Sequence, residues 1–228
     1  MYSDQQKQLV NQMEEAARQG NFLSSVIGSG ADFANDSRVC LTSVLFVPAE
    51  LGALIVKKII EPLRAIEPEH YFYSPESMHL TIKNVQIISD PPTFTETDVR
   101  KVAVMFEETV PRYPAFSFSL EDVIQFPTSV SVMGYCDERL QGLVQALDNN
   151  LKKIGVPDNK KYFSDSIFFG NITVCRFLHE PGPVFIQKLA ELRTAVIGQM
   201  LAKEITLVTC NSVCHANSLR TVGTYSLS

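Results

Sequence analysis

Tryptophan is absent from this 228-residue chain, and histidine occurs only four times. No stretch approaches the roughly 18 consecutive apolar residues of a membrane-spanning helix. The opening segment, Met1 to Gly20, is too polar for a signal peptide, so a soluble, cytoplasmic protein with no membrane partner is expected. Excess positive charge is lacking as well: 20 Lys and Arg face 25 Asp and Glu, a net charge of −5. That balance argues against an extended DNA-binding surface and leaves room only for a local basic pocket. Neither a G-x-x-x-x-G-K-[ST] loop nor a G-x-G-x-x-G turn is present, since Gly28-Ser29-Gly30 is followed by Ala31-Asp32-Phe33. Nucleoside triphosphate and dinucleotide cofactors therefore find no support, and no cofactor is expected. The five cysteines are odd in number and scattered, which predicts reduced thiols. Cys210-x3-Cys214-His215 has no second ligand pair at finger spacing, so these cysteines read as small apolar residues near a strand end and no metal site is expected.

What is present is enough apolar material, 45% of residues, to bury a core in one domain or in two lobes sharing an interface. Residues 5–18 read as a weakly amphipathic helix stopping at Gly20, followed by a Ser/Gly/Asn/Asp-rich stretch to Ser37. Residues 1–38 are thus expected to be a helical extension packed on the outside of a bilobal domain spanning 39–228. Within that domain, strands are predicted at 39–46, 78–88 and 115–120, with helices from Pro48 and over 97–110 between them. The order then recurs: a strand at 129–136, a helix from Asp137 to Gly155, a strand at FFGNITVCRF, a helix over 183–197 and a strand at EITLVT. The predicted fold class is α/β (α+β): two pseudo-symmetric lobes, each a small sheet with outer helices, around a central cleft.

Spacing sharpens the repeat. Val39 precedes His79 by 40 residues and Val130 precedes Asn171 by 41. These positions begin two related tetrapeptides, His79-Leu80-Thr81-Ile82 and Asn171-Ile172-Thr173-Val174. Period two in a strand places both polar side chains of each on one face and both apolar ones on the other. The alternation slips phase soon after each tetrapeptide, which predicts a bulge or a strand end there. Two strands aiming polar pairs at one cleft suit a tetrahedral anion. A hydroxyl from each side, Thr81 and Thr173, can hold phosphate while a neighbouring group moves a proton.

These residues resemble the 2H phosphoesterases, which include 2′-5′ RNA ligase-like proteins and 2′,3′-cyclic nucleotide phosphodiesterases and carry one H-x-[ST]-x motif per lobe. His79-Leu80-Thr81-Ile82, in SMHLTIKNV, matches the first motif; Asn171-Ile172-Thr173-Val174, in FFGNITVCRF, matches the second except at its first position; Leu45 to Pro48 is similar to the family's first strand. The likeness spans roughly residues 39–226. It implies metal-independent chemistry, with one His as general base and the other as general acid while the Ser/Thr pair holds phosphate.

Asn171 departs from that pattern, because an amide donates and accepts hydrogen bonds but exchanges no proton near pH 7. Three readings stay open: a slow enzyme using His79 alone, an enzyme whose leaving group needs no protonation, or a cleft kept for binding. The leading reading is a phosphoesterase-like hydrolase acting on 2′,3′-cyclic phosphate or 2′-5′-linked nucleotide or RNA ends with reduced or altered activity, its partner a nucleotide or RNA end carrying a phosphodiester. The alternative is a catalytically inactive nucleotide- or RNA-end-binding module with the same cleft. An interaction protein working through residues 1–38 is a third. The catalytic set is His79, Thr81, Thr173 and Asn171. Arg176 and Lys83, close behind their motifs, and Tyr73, a stacking ring just ahead of the first, are the substrate-binding candidates. His179 reads as a solvated loop residue, and the pairs Lys152-Lys153 and Lys160-Lys161 as solvated charges near a helix end.

Overall fold

A computed structural model of the protein describes residues 1–22 and 32–228; the Gly28-Ser29-Gly30 tripeptide lies outside the described residues. In chain order the larger elements are α1 (Tyr2–Arg18), β1 (Val39–Phe46), α2 (Ala49–Ile55), α3 (Glu61–Arg64), β2 (Tyr71–Phe72), β3 (His79–Ser89), α4 (Glu96–Thr109), β4 (Phe116–Phe126), β5 (Ser129–Tyr135), α5 (Arg139–Lys153), β6 (Gly170–Arg176), α6 (Pro183–Leu192), β7 (Val196–Ala202), β8 (Glu204–Cys210) and β9 (Arg220–Ser226). A π-helical turn, Val56–Ile60, joins α2 to α3, so the chain passes Pro62 at the start of the last short helix without losing a mid-helix donor. Helix α4 begins at a capping box in which Thr95 and Asp98 satisfy each other's backbone N–H groups. Helix α5 buries the stripe Leu140, Leu143, Val144, Leu147 and Leu151, the spacing of one helical face.

Among the described residues the strands form one curled sheet in the order β7-β4-β5-β6-β3-β1-β8-β9, with β2 also paired to β6. The two expected lobes are its halves, β3-β1-β8-β9 and β6-β5-β4-β7, related about the central β3–β6 pair. Each half contains a strand borrowed from the other repeat. β4, the third strand of the first repeat, pairs with β5 and β7, while β8, the third strand of the second, pairs with β1 and β9. This exchange ties the halves covalently and through hydrogen bonds. One face of the sheet carries helices α2 to α6 over the main core; the other lines the cleft.

Two expectations are corrected. The last predicted helix ends at Leu192 rather than 197, because Val196-Ile197-Gly198-Gln199-Met200 pairs with β4 as β7, and Val196 is 61% exposed instead of inward. Its β-branched pair suits a strand edge better than a helix end. Helix α1 does not pack on the outside. It lies on the cleft face of β4 and β5, with Val10 against Ile124, Met133 and Tyr135. Its buried Gln6 bonds the carbonyl of Phe168 and the backbone N–H of Cys136, locking the helix to the rim of the cleft.

The seam between the halves is tight. Gly170 sits under Leu80, and a Cβ there would lie 2.7 Å from Leu80 Cγ. Gly170→Ala is expected to cost about 1–3 kcal/mol, the range for overpacking a filled core. A lowered urea midpoint at unchanged slope would show it, and Gly170→Ala with Leu80→Ala should cost less than the two singles summed.

Candidate functional site

The cleft encloses roughly 410 Å³ on the polar side of the seam, and His79, Thr81, Asn171, Thr173 and Arg176 all line it. Register explains the convergence. Leu80 pairs with Ile172 across the antiparallel seam, so His79 stands opposite Thr173 and Thr81 opposite Asn171. Cβ atoms of directly opposed residues lie about 4.5–5.5 Å apart, which gathers the four polar side chains into one patch. The bulges fall at matching places. Ser43 pairs Lys83 and Val44 pairs Thr81, leaving Ile82 extra; Val130 pairs Cys175 and Ser131 pairs Thr173, leaving Val174 extra.

In the second half the phase shift turns Arg176 into the cleft. Its guanidinium is buried, donating from Nε to the Tyr73 hydroxyl at 2.9 Å and from Nη2 to the Ser212 carbonyl at 3.2 Å. No carboxylate pairs with it among the described residues. A buried cation without a carboxylate is costly unless something else supplies negative charge, so this one is poised for an anion.

In the first half the same shift turns Lys83 away, and its assignment as a ligand contact is corrected. Lys83 is 2% exposed, absent from the cleft wall, and held by Asp158 and by Asp148 at 3.2 Å on α5. Tyr73 is corrected too. At 1% exposure it does not line the cleft, and instead of stacking a base it supports Arg176 from beneath.

Several site residues carried no recognisable sequence signal of their own. Ser131 Oγ accepts from Asn171 Nδ2 at 3.3 Å and donates to Thr173 Oγ1 at 3.4 Å, joining the two polar groups of the second motif. The alternation Ser129-Val130-Ser131-Val132 was the available hint. An apolar wall is built by α1 (Leu9, Met13), Phe22, Phe126 and the segment 162–169, where Phe22 meets Phe126 edge-on at 5.9 Å. Lys160 also lines the cleft rather than sitting as a solvated charge, and burial pushes its ammonium down to about 8.

His79 is oriented by the Ser77 carbonyl, 2.8 Å from Nδ1. A carbonyl only accepts, so Nδ1 carries a proton and Nε2 is the atom left to exchange one. Nε2 faces Cys214 Sγ at 3.8 Å. Burial disfavours the charged ring, but Cys214, with the Ser77 carbonyl, outweighs it and raises the His79 pKa. Cys214, expected to be an inert apolar filler, is therefore part of the site.

Glu67, His70 and His179 bring ligand-type atoms within 4.8 Å of one another outside the cleft. The Leu178 N–H donates to His70 Nδ1, so the neutral ring holds its proton on Nε2, the atom 2.8 Å from Glu67. A metal would need that lone pair, and the arrangement fits a His–Glu contact better. Exposed His179 contacts Glu69 and the Glu180 carbonyl, away from the cleft.

This curled sheet with a paired-strand cleft is the fold of known phosphoesterase structures. A crystallised phosphoesterase superposes with a TM-score of 0.59 at 15% identity, covering 84% of this chain and 99% of that one. E. coli LigT in its apo form gives 0.57 at 17% identity over 84% and 98%. A Thermus thermophilus protein, TT0787, gives 0.57 at 13% over 83% and 97%. E. coli LigT has also been crystallised with phosphate and with 3′-AMP. No family model and no curated protein matches the sequence, so the likeness is one of fold.

The two cations behind the motifs should separate experimentally. Lys83→Met is expected to lower stability by about 1–3 kcal/mol by stranding Asp148 and Asp158, and to leave phosphate affinity unchanged. Arg176→Met should weaken phosphate binding at least tenfold. Urea unfolding and phosphate titration of both variants check this pair of outcomes.

Proposed function

We propose that the chain is a metal-independent phosphoesterase acting on 2′,3′-cyclic phosphate or 2′-5′-linked nucleotide or RNA ends, with His79 as its one imidazole proton-transfer group. The observation that carries this reading is the buried, carboxylate-free Arg176 facing the same cleft as Thr81 and Thr173. Three donors of that kind match the non-bridging oxygens of one phosphate. The phosphoesterase fold and the His79 and Asn171 motifs support it, as do the phosphate and 3′-AMP complexes of E. coli LigT. The apolar wall offers a nucleobase ring faces and aliphatic edges beside the phosphate patch.

In this mechanism Thr81, Thr173 and Arg176 hold the phosphoryl oxygens while protonated Nε2 of His79 delivers its proton to the departing sugar oxygen. Asn171 donates from its amide to Ser131, which in turn donates to Thr173, but takes no proton from the attacking water, whose proton passes to bulk solvent. Turnover is thus slow for want of a base, by about 10² to 10⁴. Because Cys214 raises the His79 pKa, the protonated ring persists to higher pH than an ordinary histidine. Activity should hold at low pH and fall as pH rises through that raised pKa. The second reading, a binding module without turnover, is favoured by one observation: the residue in the second His position is an amide already bonded to Ser131.

Phosphorus NMR with 2′,3′-cyclic AMP tests both. Conversion to a monophosphate by the native protein, lost by about 10²-fold or more in His79→Ala, is the expected result. Asn171→His should raise the rate by restoring a second proton-transfer group. A shifted resonance with no conversion in either the native protein or Asn171→His would establish the binding module. An unaltered spectrum in all three would overturn the cyclic-phosphate reading.

A further inference from the structure

Three cysteines converge at the His79 end of the cleft. Cys40 on β1 and Cys210 on β8 are directly paired across antiparallel strands, with sulfurs 3.7 Å apart. Cys214 lies four residues beyond Cys210 in the turn after β8, against His79 Nε2 at 3.8 Å. All three line the cleft. The turn is built to present that thiol: Cys214 has φ of +48°, a conformation uncommon for residues other than glycine. It is kept there by Asn211, whose carbonyl accepts from the Cys214 N–H and whose side-chain oxygen accepts from those of Val213 and His215. The phosphate patch assigned to Thr81, Thr173 and Arg176 requires no thiol here.

We propose that Cys214 is a peroxide-modification site whose oxidation, resolved by Cys210, returns His79 to its neutral form. The Cys214 thiolate attacks one oxygen of hydrogen peroxide, the O–O bond breaks, and Cys214 becomes a sulfenic acid. The departing hydroxide takes a proton from His79 Nε2 and leaves as water. The Cys210 sulfur then attacks the sulfenic sulfur: an S–S bond forms, the S–O bond breaks, and the hydroxyl leaves as water with the Cys210 proton. Two thiols are oxidised by two electrons in all, and one peroxide is reduced to two waters.

The surroundings support each role. The neighbouring Cys210 thiol, with the His79 and Arg176 cations, outweighs burial and holds the Cys214 thiol down to about 5. The Cys214 and Cys40 sulfurs beside it, together with burial, move Cys210 well up, so it stays protonated until the sulfenic acid forms. Cys136 and Cys175, buried outside the cleft, are pushed upward by burial and serve as internal references. A bridge to Cys214 would pull its sulfur from Nε2 and remove the thiolate that favours the charged ring.

The reactivity stands on the thiol geometry alone; its effect on turnover rests on the phosphoesterase reading, and the two are measured separately. The native protein is treated with limiting hydrogen peroxide at pH 6 and its peptides are analysed by mass spectrometry. A loss of two hydrogens across the Cys210 and Cys214 peptides is expected, with Cys136 and Cys175 intact. In Cys210→Ser the sulfenic acid should persist and be trapped by dimedone at Cys214. His79→Gln should slow Cys214 oxidation at least about threefold, because its cation no longer favours the thiolate. After discounting the lower nucleophilicity of a low-pKa thiolate, Cys214 should outpace an ordinary thiol about tenfold at this pH. Oxidation of Cys214 no faster than of Cys136 and Cys175, or at the same rate in His79→Gln, would overturn the proposal. So would bridge formation that left the His79 imidazole titrating by NMR as it does in the reduced protein. Failure of the function alone reads differently: the bridge forms and the His79 titration moves down, with no turnover before or after oxidation.

Discussion

The site depends on one cross-strand contact, the pairing of Leu80 with Ile172. Because side chains alternate along a strand, this contact fixes two outcomes together. Leu80 and Ile172 close the core on one face, while His79, Thr81, Asn171 and Thr173 must stand together on the other. A slip of one residue would bury the polar quartet and expose the apolar pair, so the hydrophobic free energy of the core specifies the register of the polar patch. The contact is short as well. Leu80–Ile172 is the one β3–β6 register pair; on the His79 side of it β6 pairs with β2 through Tyr71 and Phe72, and past Leu80 β3 continues along β1. The divergence opens the space that the patch faces. Gly170 belongs to the same constraint, since a side chain there would occupy the volume of Leu80.

The bulges beyond the seam divide the work between two cations that are similar in sequence. Each motif ends in one extra residue, Ile82 or Val174, and the phase then inverts. In the first half the inversion sends Lys83 toward α5, where Asp148 and Asp158 compensate it as a structural charge. In the second half Arg176 meets a phenol and a carbonyl, groups that orient a guanidinium without neutralising it. Orientation without neutralisation distinguishes an anion site from a buried ion pair. The planar fork can donate to Tyr73 from one nitrogen and to Ser212 from another while retaining donors for a ligand, which a lysine ammonium could not do with equal direction.

Much of this was legible in the chain and some was not, for physical reasons. Period two and equal spacing were local properties, so the repeat, the paired motifs and the phase slips could be read from residues 39–46, 79–89, 129–135 and 170–176. Which way Lys83 and Arg176 turn after their bulges depended on partners about 65 and 36 residues distant, Asp148 and Ser212. No local pattern encodes that. The exchange of β4 and β8 between halves was hidden likewise, because strand propensity does not name a neighbour. Helix α1 carried only a weak apolar face, and burial against helices and burial against the cleft face of β4 and β5 give the same pattern. Cys214 was missed because its role lies in a turn geometry and in contact with a residue 135 positions away.

Asn171 stands where the resembled motif has a histidine, and the difference concerns charge as well as proton exchange. A second histidine could add a positive charge beside the phosphate; the amide keeps a donor and stays neutral. The fixed cation at the patch is then Arg176, with burial lowering the Lys160 ammonium to about 8 and His79 charged only while it stays protonated. A cyclic phosphodiester carries one charge, whereas the monoester formed by opening it acquires most of a second near pH 7. A site with fewer cations gains less from that second charge, so losing a histidine weakens retention of a monoester more than recognition of a diester. Under the proposed function, this charge balance favours a singly charged phosphodiester over its doubly charged monoester product, so a neutral amide at position 171 bears on product release as well as on proton transfer.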